Sequence, residues 1–191
     1  MVGNINFGRK IPITKCQVQN KFTHNSVPVV VYELDCKDKE DWLSMREDKG
    51  YWTFAQQVSY QIEEKHDCLA QTEDIKFHVL KNEKDELLGF MESEDMDDTL
   101  NVHVLESSPS GKFKYIGKVL LGTAAKVALK EGKQKLTVSY PLANVRDFYI
   151  YACGFKPTAT KLVEMNRQEM AEFIKRTEEQ TNSQIIDLKG W

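Results

Sequence analysis

The segment from Thr99 to Pro141 constrains the fold more than any other part of the chain. "TLNVHVLES" has the alternation and β-branched content of a strand. After a loop, Ile116, Val119, Leu120, Ala124, Val127 and Ala128 form an apolar stripe at i, i+3, i+4 spacing, and Gly132 supplies the residue that most easily takes the left-handed conformation closing a helix. "KLTVSYP" then alternates, with Leu136, Val138 and Tyr140 expected inward, and stops at Pro141. Strand, helix and strand joined in this way require a right-handed crossover and a parallel strand pair.

The remaining elements read as antiparallel. "VPVVVYELDC" (Val27 to Cys36) is a short β-branched strand, and "IKFHVLKNEKDELLGFME" folds back about Asn82–Asp85 with Phe77, Val79, Leu88 and Phe90 on its apolar positions. Helices are expected over "DKEDWLSMRED", over "YWTFAQQVSYQIEEK" with Thr53 and Gln56 as a capping box, and through "NVRDFYIYACG". A strand follows through "TKLVEMN", and a last helix starts near Gln168 with Asn166 and Glu169 as cap candidates. The class is α/β (α+β): a mixed, mostly antiparallel central sheet with one parallel pair, flanked by helices. Residues 1–26 read as an N-terminal arm, 27–166 as the folded domain, and 167–191 as a C-terminal helix and tail packed on it.

A chain of 191 residues suits a single core. It contains no apolar run near the roughly 18 residues of a membrane helix, and no secretory h-region, so a soluble cytoplasmic protein is expected. Cys16, Cys36, Cys68 and Cys153 are scattered without a C-x-x-C pair, against a structural zinc site. Charge is unevenly spread. Residues 111–191 carry 14 Lys+Arg against 8 Asp+Glu, whereas residues 1–110 carry 12 against 21. Lys126, Lys130 and Lys133 read as a solvated helix face, and a nucleic-acid partner ranks last.

The loop "SGKFKYIGK" is a different matter. A helix N-terminus presents unpaired N–H groups and a partial positive charge, which suits phosphate. Gly117 at its mouth lets backbone approach an anion, and Lys112, Lys114 and Lys118 add attraction. A P-loop is excluded, because "GKVLLGTA" has Thr123 where the lysine belongs, and the dinucleotide pattern G-x-G-x-x-G is absent.

"KFKYIGKVLL" resembles the [QR]-x-x-G-x-[GA] motif of the GNAT superfamily of acyl-CoA-dependent N-acetyltransferases. Lys112 stands at the Gln/Arg position, Tyr115 at the first glycine, and Ile116 and Gly117 match. "NVRDFYIYACGFKP" resembles the family's second signature through Asn144, Phe148, Tyr149, Gly154 and Phe155. The resemblance implies a parallel pair made of the family's fourth and fifth strands, with acetyl-CoA as co-substrate. Val104 and Leu105 would pair with the pantetheine arm, and Lys112, Phe113, Lys114, Tyr115, Ile116, Gly117, Lys118 and Asn144 would bind cofactor. No metal is implied.

The family's catalytic tyrosine lies four residues before the glycine of Gly-Phe, where this chain has Ile150. Tyr149 is therefore the first candidate for the acid that protonates the CoA thiolate and Tyr151 the second, with Glu92 and Glu106 as candidate bases. His78 and His103 are read as outward-pointing or structurally hydrogen-bonded. The acceptor implied is a primary amine on a small molecule or protein, attracted by the acidic run Glu94–Asp98 or lined by Tyr51, Trp52 and Phe54, and the protein is expected as a monomer or homodimer. The alternative is a catalytically inactive GNAT-fold module for acyl-CoA binding or protein interaction.

Overall fold

The computed structural model describes residues 11–34, 74–159 and 161–188. The two helices expected between Asp38 and Lys65, with the cap pair Thr53–Gln56 and the aromatics Tyr51, Trp52 and Phe54, lie outside the described residues.

The described elements run β1 (Ile11–Asn20), β2 (Ser26–Leu34), β3 (Ile75–Asn82), β4 (Leu87–Met96), β5 (Thr99–Ser107), β6 (Phe113–Lys114), α1 (Ile116–Lys130), β7 (Lys135–Ser139), a π-helical turn (Phe148–Cys153), β8 (Lys156–Ala159), β9 (Leu162–Asn166), α2 (Arg167–Thr181) and β10 (Ile186–Asp187). They form one mixed sheet in the order β10-β1-β2-β3-β4-β5-β7-β9-β8, with the short β6 also on β1. The β5–β7 pair is parallel and every other pair among the described residues is antiparallel. The crossover between β5 and β7 is α1, as the apolar stripe requires.

Residues 11–20, expected in an N-terminal arm, form a full strand paired with β2 from Ile11↔Glu33 to Gln19↔Ser26. The strand through "TKLVEMN" also gains a partner, because β8 pairs with β9. Tyr140, expected inward, is 72% exposed with φ +54°. β7 has already ended at Ser139, so the alternation does not extend to it.

One face of the sheet packs on α1 and α2. Val18, Val31, Leu80, Met91, Val102 and Leu136 meet Val119, Leu120, Ala124 and Phe173 there. The helix approaches β4 closely: a Cβ added to Gly89 would stand 2.6 Å from Ile116 Cγ2 and 2.9 Å from Leu120 Cδ1. Within this layer the buried hydroxyls of Thr14 and Thr123 bond at 2.8 Å, so β1 is tied to the helix by a satisfied polar contact. α1 ends as expected. Gly132 (φ +79°) donates to Leu129 O and Lys133 to Ala128 O, closing the last turn in a Schellman motif. α2 starts with a full capping box, in which Asn166 Oδ1 accepts from the Glu169 N–H and Glu169 accepts from the Asn166 N–H. The opposite sheet face holds a smaller cluster of Leu34, Phe77, Val79 and Phe90. No helix among the described residues is long and apolar enough to cross a membrane.

The lysines read as a solvated face are engaged. Lys126 and Lys130 reach Glu178 and Asp187 near the C-terminal strand. Lys133 lies beyond the helix and is 8% exposed, bonded to the Asp95 carboxylate and, at 2.7 Å, to the Asp97 carbonyl.

Candidate functional site

β5 and β7 pair only over Thr99–Val102 and Lys135–Val138. Beyond Val102, β5 continues to Ser107 paired, among the described strands, with β4 alone, and a bulge leaves His103 between the pairs Ser93↔Val102 and Glu92↔Val104. The two parallel strands therefore part beyond Val102, and the β7 side of Val104 and Leu105 has no partner strand among the described residues. Such an edge offers N–H and C=O groups to an extended amide-bearing ligand.

The loop after β5 brings α1 to the same place. Its tip pairs with the end of β1 through Gln19↔Lys114 and Asn20↔Phe113, and the Lys21 N–H donates to the Lys112 carbonyl at 2.8 Å. Tyr115 is the N-cap, at φ +71° and ψ 5°, the left-handed region in which a glycine would be unstrained. Among the described residues no side chain caps the helix, and its first turn holds no acid, so its leading N–H groups have no side-chain partner there.

Between these features lies a cleft of about 680 Å³, within the range of small-molecule sites. Of the residues expected from the sequence, Leu105, Glu106, Phe113, Lys114, Tyr115, Ile116, Gly117, Lys118 and Tyr149 line it. Val104 packs with the apolar cluster on the other face, and Glu92 sits on β4 outside the cleft. Lys112 and Asn144 are exposed outside the lining, and the Lys112 carbonyl accepts from the N–H of Lys21, which does line it. The sequence reading missed Lys21, Ser107, Ser108, Leu142, Val145 and Phe148 as lining residues. Phe148 had a signal in the aromatic pair of the second signature, whereas Lys21 had none, because only the β1–β6 pairing brings it there.

The two tyrosines separate cleanly. Tyr151 is 81% exposed and away from the cleft, whereas Tyr149 is 5% exposed and reaches it. The reason is the turn that carries them. Phe148–Cys153 is π-helical, which fits one more residue per turn than an α-helix, and Gly154 ends it at φ +86°. Tyr149, five residues before Gly154, is thus the tyrosine of this turn that reaches the cleft. Phe148 and Phe155 lie edge-on to the Tyr149 ring at 5.3 and 5.9 Å. Burial, and next the nearby Cys153, push its phenol up to about 12, so it holds its proton at neutral pH.

Burial also raises the Glu92 carboxyl, against the opposing effect of His103 and with a smaller push from Glu94. Among the described residues no group of three His, Cys, Asp or Glu side chains is placed to hold a metal ion.

No family model and no curated protein matches the chain by sequence. Solved structures do match by fold. PaiA N-acetyltransferase from Thermoplasma acidophilum, in complex with coenzyme A, is 23% identical over 72% of this chain and 98% of its own, with a TM-score of 0.54. Spermidine N-acetyltransferase from Vibrio cholerae, in complex with CoA and spermine, is 13% identical over 75% and 98%, with a TM-score of 0.59. An uncharacterized protein from Bacillus halodurans is 11% identical over 91% and 99%, with a TM-score of 0.60. The chain has the fold of the GNAT acetyltransferases.

Proposed function

We propose that this protein is an acetyl-CoA-dependent N-acetyltransferase acting on a primary amine by direct attack. One observation carries the reading: the uncapped start of α1 and the open edge of β5 face the same cleft. The diphosphate of the cofactor is received by the first N–H groups of α1, with Gly117 allowing close approach and Lys21, Lys114 and Lys118 adding positive field. The pantetheine amides pair with the backbone of Val104 and Leu105, which aims the thioester at the fork between β5 and β7. The uncharged acceptor amine attacks the thioester carbon, the C–S bond breaks as Tyr149 gives its proton to the departing thiolate, and the proton lost from the new amide nitrogen restores the phenol.

A second reading, a module that holds acyl-CoA without transferring it, rests on the burial of Tyr149 among aromatics. Release of thiol from acetyl-CoA in the presence of an amine separates the two.

Thermal unfolding tests the cofactor site. At about 100 times its dissociation constant, acetyl-CoA adds ~2.7 kcal/mol to the folded state, which for a chain of this size raises the midpoint by roughly 5–11 °C. Equimolar ATP is expected to do much less, and an equal shift with ATP would reduce the site to a general phosphate cradle. A Cβ at Gly117 would stand 3.2 Å from Phe148 Cζ and 3.6 Å from Leu105 Cδ2, so Gly117→Asp puts bulk and negative charge in the cleft wall. That variant should lose the acetyl-CoA shift, and an unchanged shift would refute the diphosphate assignment.

A further inference from the structure

The sheet face turned away from α1 carries a polar chain at the fork of β5 and β7. His103 Nε2 lies 2.7 Å from Glu94 Oε2, so the neutral imidazole keeps its proton on Nε2, because a carboxylate can only accept. Nδ1 then carries the lone pair, and the Asn101 amide nitrogen lies against the ring, 3.2 Å from Nε2 and 3.4 Å from Nδ1. Asn101 is 4% exposed and fixed in turn, since its Oδ1 accepts from Thr137 at 2.8 Å and from Ser139 at 2.9 Å. The run Glu94–His103–Asn101–Thr137 and Ser139 spans β4, β5 and β7, and its buried end holds the exposed end in place. Glu92 on β4 lies within electrostatic reach of both Glu94 and His103. Lys135 on β7 and Glu164 on β9 neutralise each other at 3.3 Å further along the sheet.

The position matters as much as the contacts. His103 is the bulged residue that follows Val102, the last β5 residue paired with β7. Leu105, which lines the cleft, is two residues on, about 7 Å along the strand. The imidazole side chain is 34% exposed, open to an incoming molecule on that face.

We propose that His103, oriented by Glu94, is the base that deprotonates the acceptor ammonium, and that the acceptor enters from the sheet face opposite α1. This rests on the transferase reading given above. The ammonium gives one proton to Nδ1, the free amine attacks the thioester carbon, and the C–S bond breaks as Tyr149 protonates the thiolate and the amine's second proton passes through solvent to restore the Tyr149 phenol. The imidazolium, paired with Glu94, then returns its proton to solvent. Glu92 and Glu94 also make the approach attractive to a cation, so the acceptors favoured are aliphatic amines protonated at neutral pH, with no carboxylate beside the reacting nitrogen.

The test uses the full chain, with His103→Ala and Glu94→Gln as variants and spermidine, 1,3-diaminopropane and a lysine-containing peptide as acceptors. Acetyl-CoA binding and the unfolding midpoint should be unchanged in both. Thiol release by His103→Ala should fall about 100-fold at neutral pH, the low end of what a positioned base contributes. The deficit should narrow as pH rises and more amine arrives unprotonated, and added imidazole should restore part of the rate. Glu94→Gln should lose about 10-fold. A His103→Ala rate equal to wild type, or a deficit constant with pH and unanswered by imidazole, would overturn the proposal. A wild-type protein that binds acetyl-CoA but acetylates none of the three amines would overturn it too, leaving the cofactor site intact. Failure to bind acetyl-CoA would instead remove the reading beneath it.

Discussion

Tyr149 shows how far a single side chain is set by its surroundings. Its phenol is pushed up to about 12, so it keeps its proton at neutral pH, and the acid role proposed for it should appear in kcat rather than in cofactor affinity. Tyr149→Phe should lower kcat roughly 10- to 100-fold while leaving the KM for acetyl-CoA near wild type, as steady-state thiol release will show. In an absorbance titration the same substitution should delete a transition near pH 12. The folded state favours the protonated phenol, so its contribution to stability is present below the ordinary tyrosine pKa of about 10 and fades as pH rises through about 12. Cys153, a turn away, and Cys16 are likewise raised to about 12 by burial, which keeps both as thiols. At this scale the sequence was informative where neighbours along the chain make the site. Gly117 and Tyr115 sit at a helix start whose stripe could be read directly, but Lys21 and the pairing of His103 with Glu94 depend on strand register, which no local pattern states.

Among the elements, α1 places the site, and its position depends on the absence of a side chain across the interface. Gly89→Ala would drive a methyl to 2.6 Å from Ile116 Cγ2, in the first turn of α1, and to 3.3 Å from the Glu106 carbonyl. Overpacking of this kind costs about 1–3 kcal/mol, and each kcal/mol lowers the unfolding midpoint by roughly 2–4 °C here. Since the displaced residue adjoins Gly117, the variant should also bind acetyl-CoA more weakly than its stability loss explains. The start of α2 gives a separate measure. Asn166→Ala removes one half of the capping box and should cost about 1 kcal/mol in denaturant unfolding. Burial would raise the Glu169 carboxyl, but hydrogen bonds from Lys156 and the Asn166 N–H outweigh it and leave it below its ordinary value. That half of the box therefore stabilises above the usual carboxylate range and is lost as pH falls through the lower folded value. Both helices, the β3–β4 hairpin and β7 were legible because their apolar periods are strong. β1 was not, since Thr14 and Cys16 occupy two of its inward positions, and β8 was not, since Lys156, Pro157 and Thr158 are all exposed. The π-helical turn upset the spacing rule for another reason: that rule assumes 3.6 residues per turn, one added residue moves the count by about 100°, and so Tyr149 and Tyr151 both stayed candidates until their exposure separated them.

For the whole molecule, the parallel pair inside an antiparallel sheet was readable from one strand–helix–strand segment, whereas the point at which its strands part is set by register, at Val102 and Val138. Which sheet face each polar residue occupies was not readable, because the β5 bulge resets the alternation at His103. The fold also rearranges charge. The excess of base in residues 111–191 and of acid in residues 1–110 is a matter of chain order, and Lys133–Asp95 and Lys76–Glu131 bring the two halves together. Lys126 and Lys130 are likewise matched by Glu178 and Asp187. What reads along the chain as a battery, negative at one end and positive at the other, is bridged where Lys133 of the basic half bonds to Asp95 of the acidic half. The lysines in the second half of α1 are thus already engaged by carboxylates, and a distant polyanion would meet matched pairs there rather than free charge.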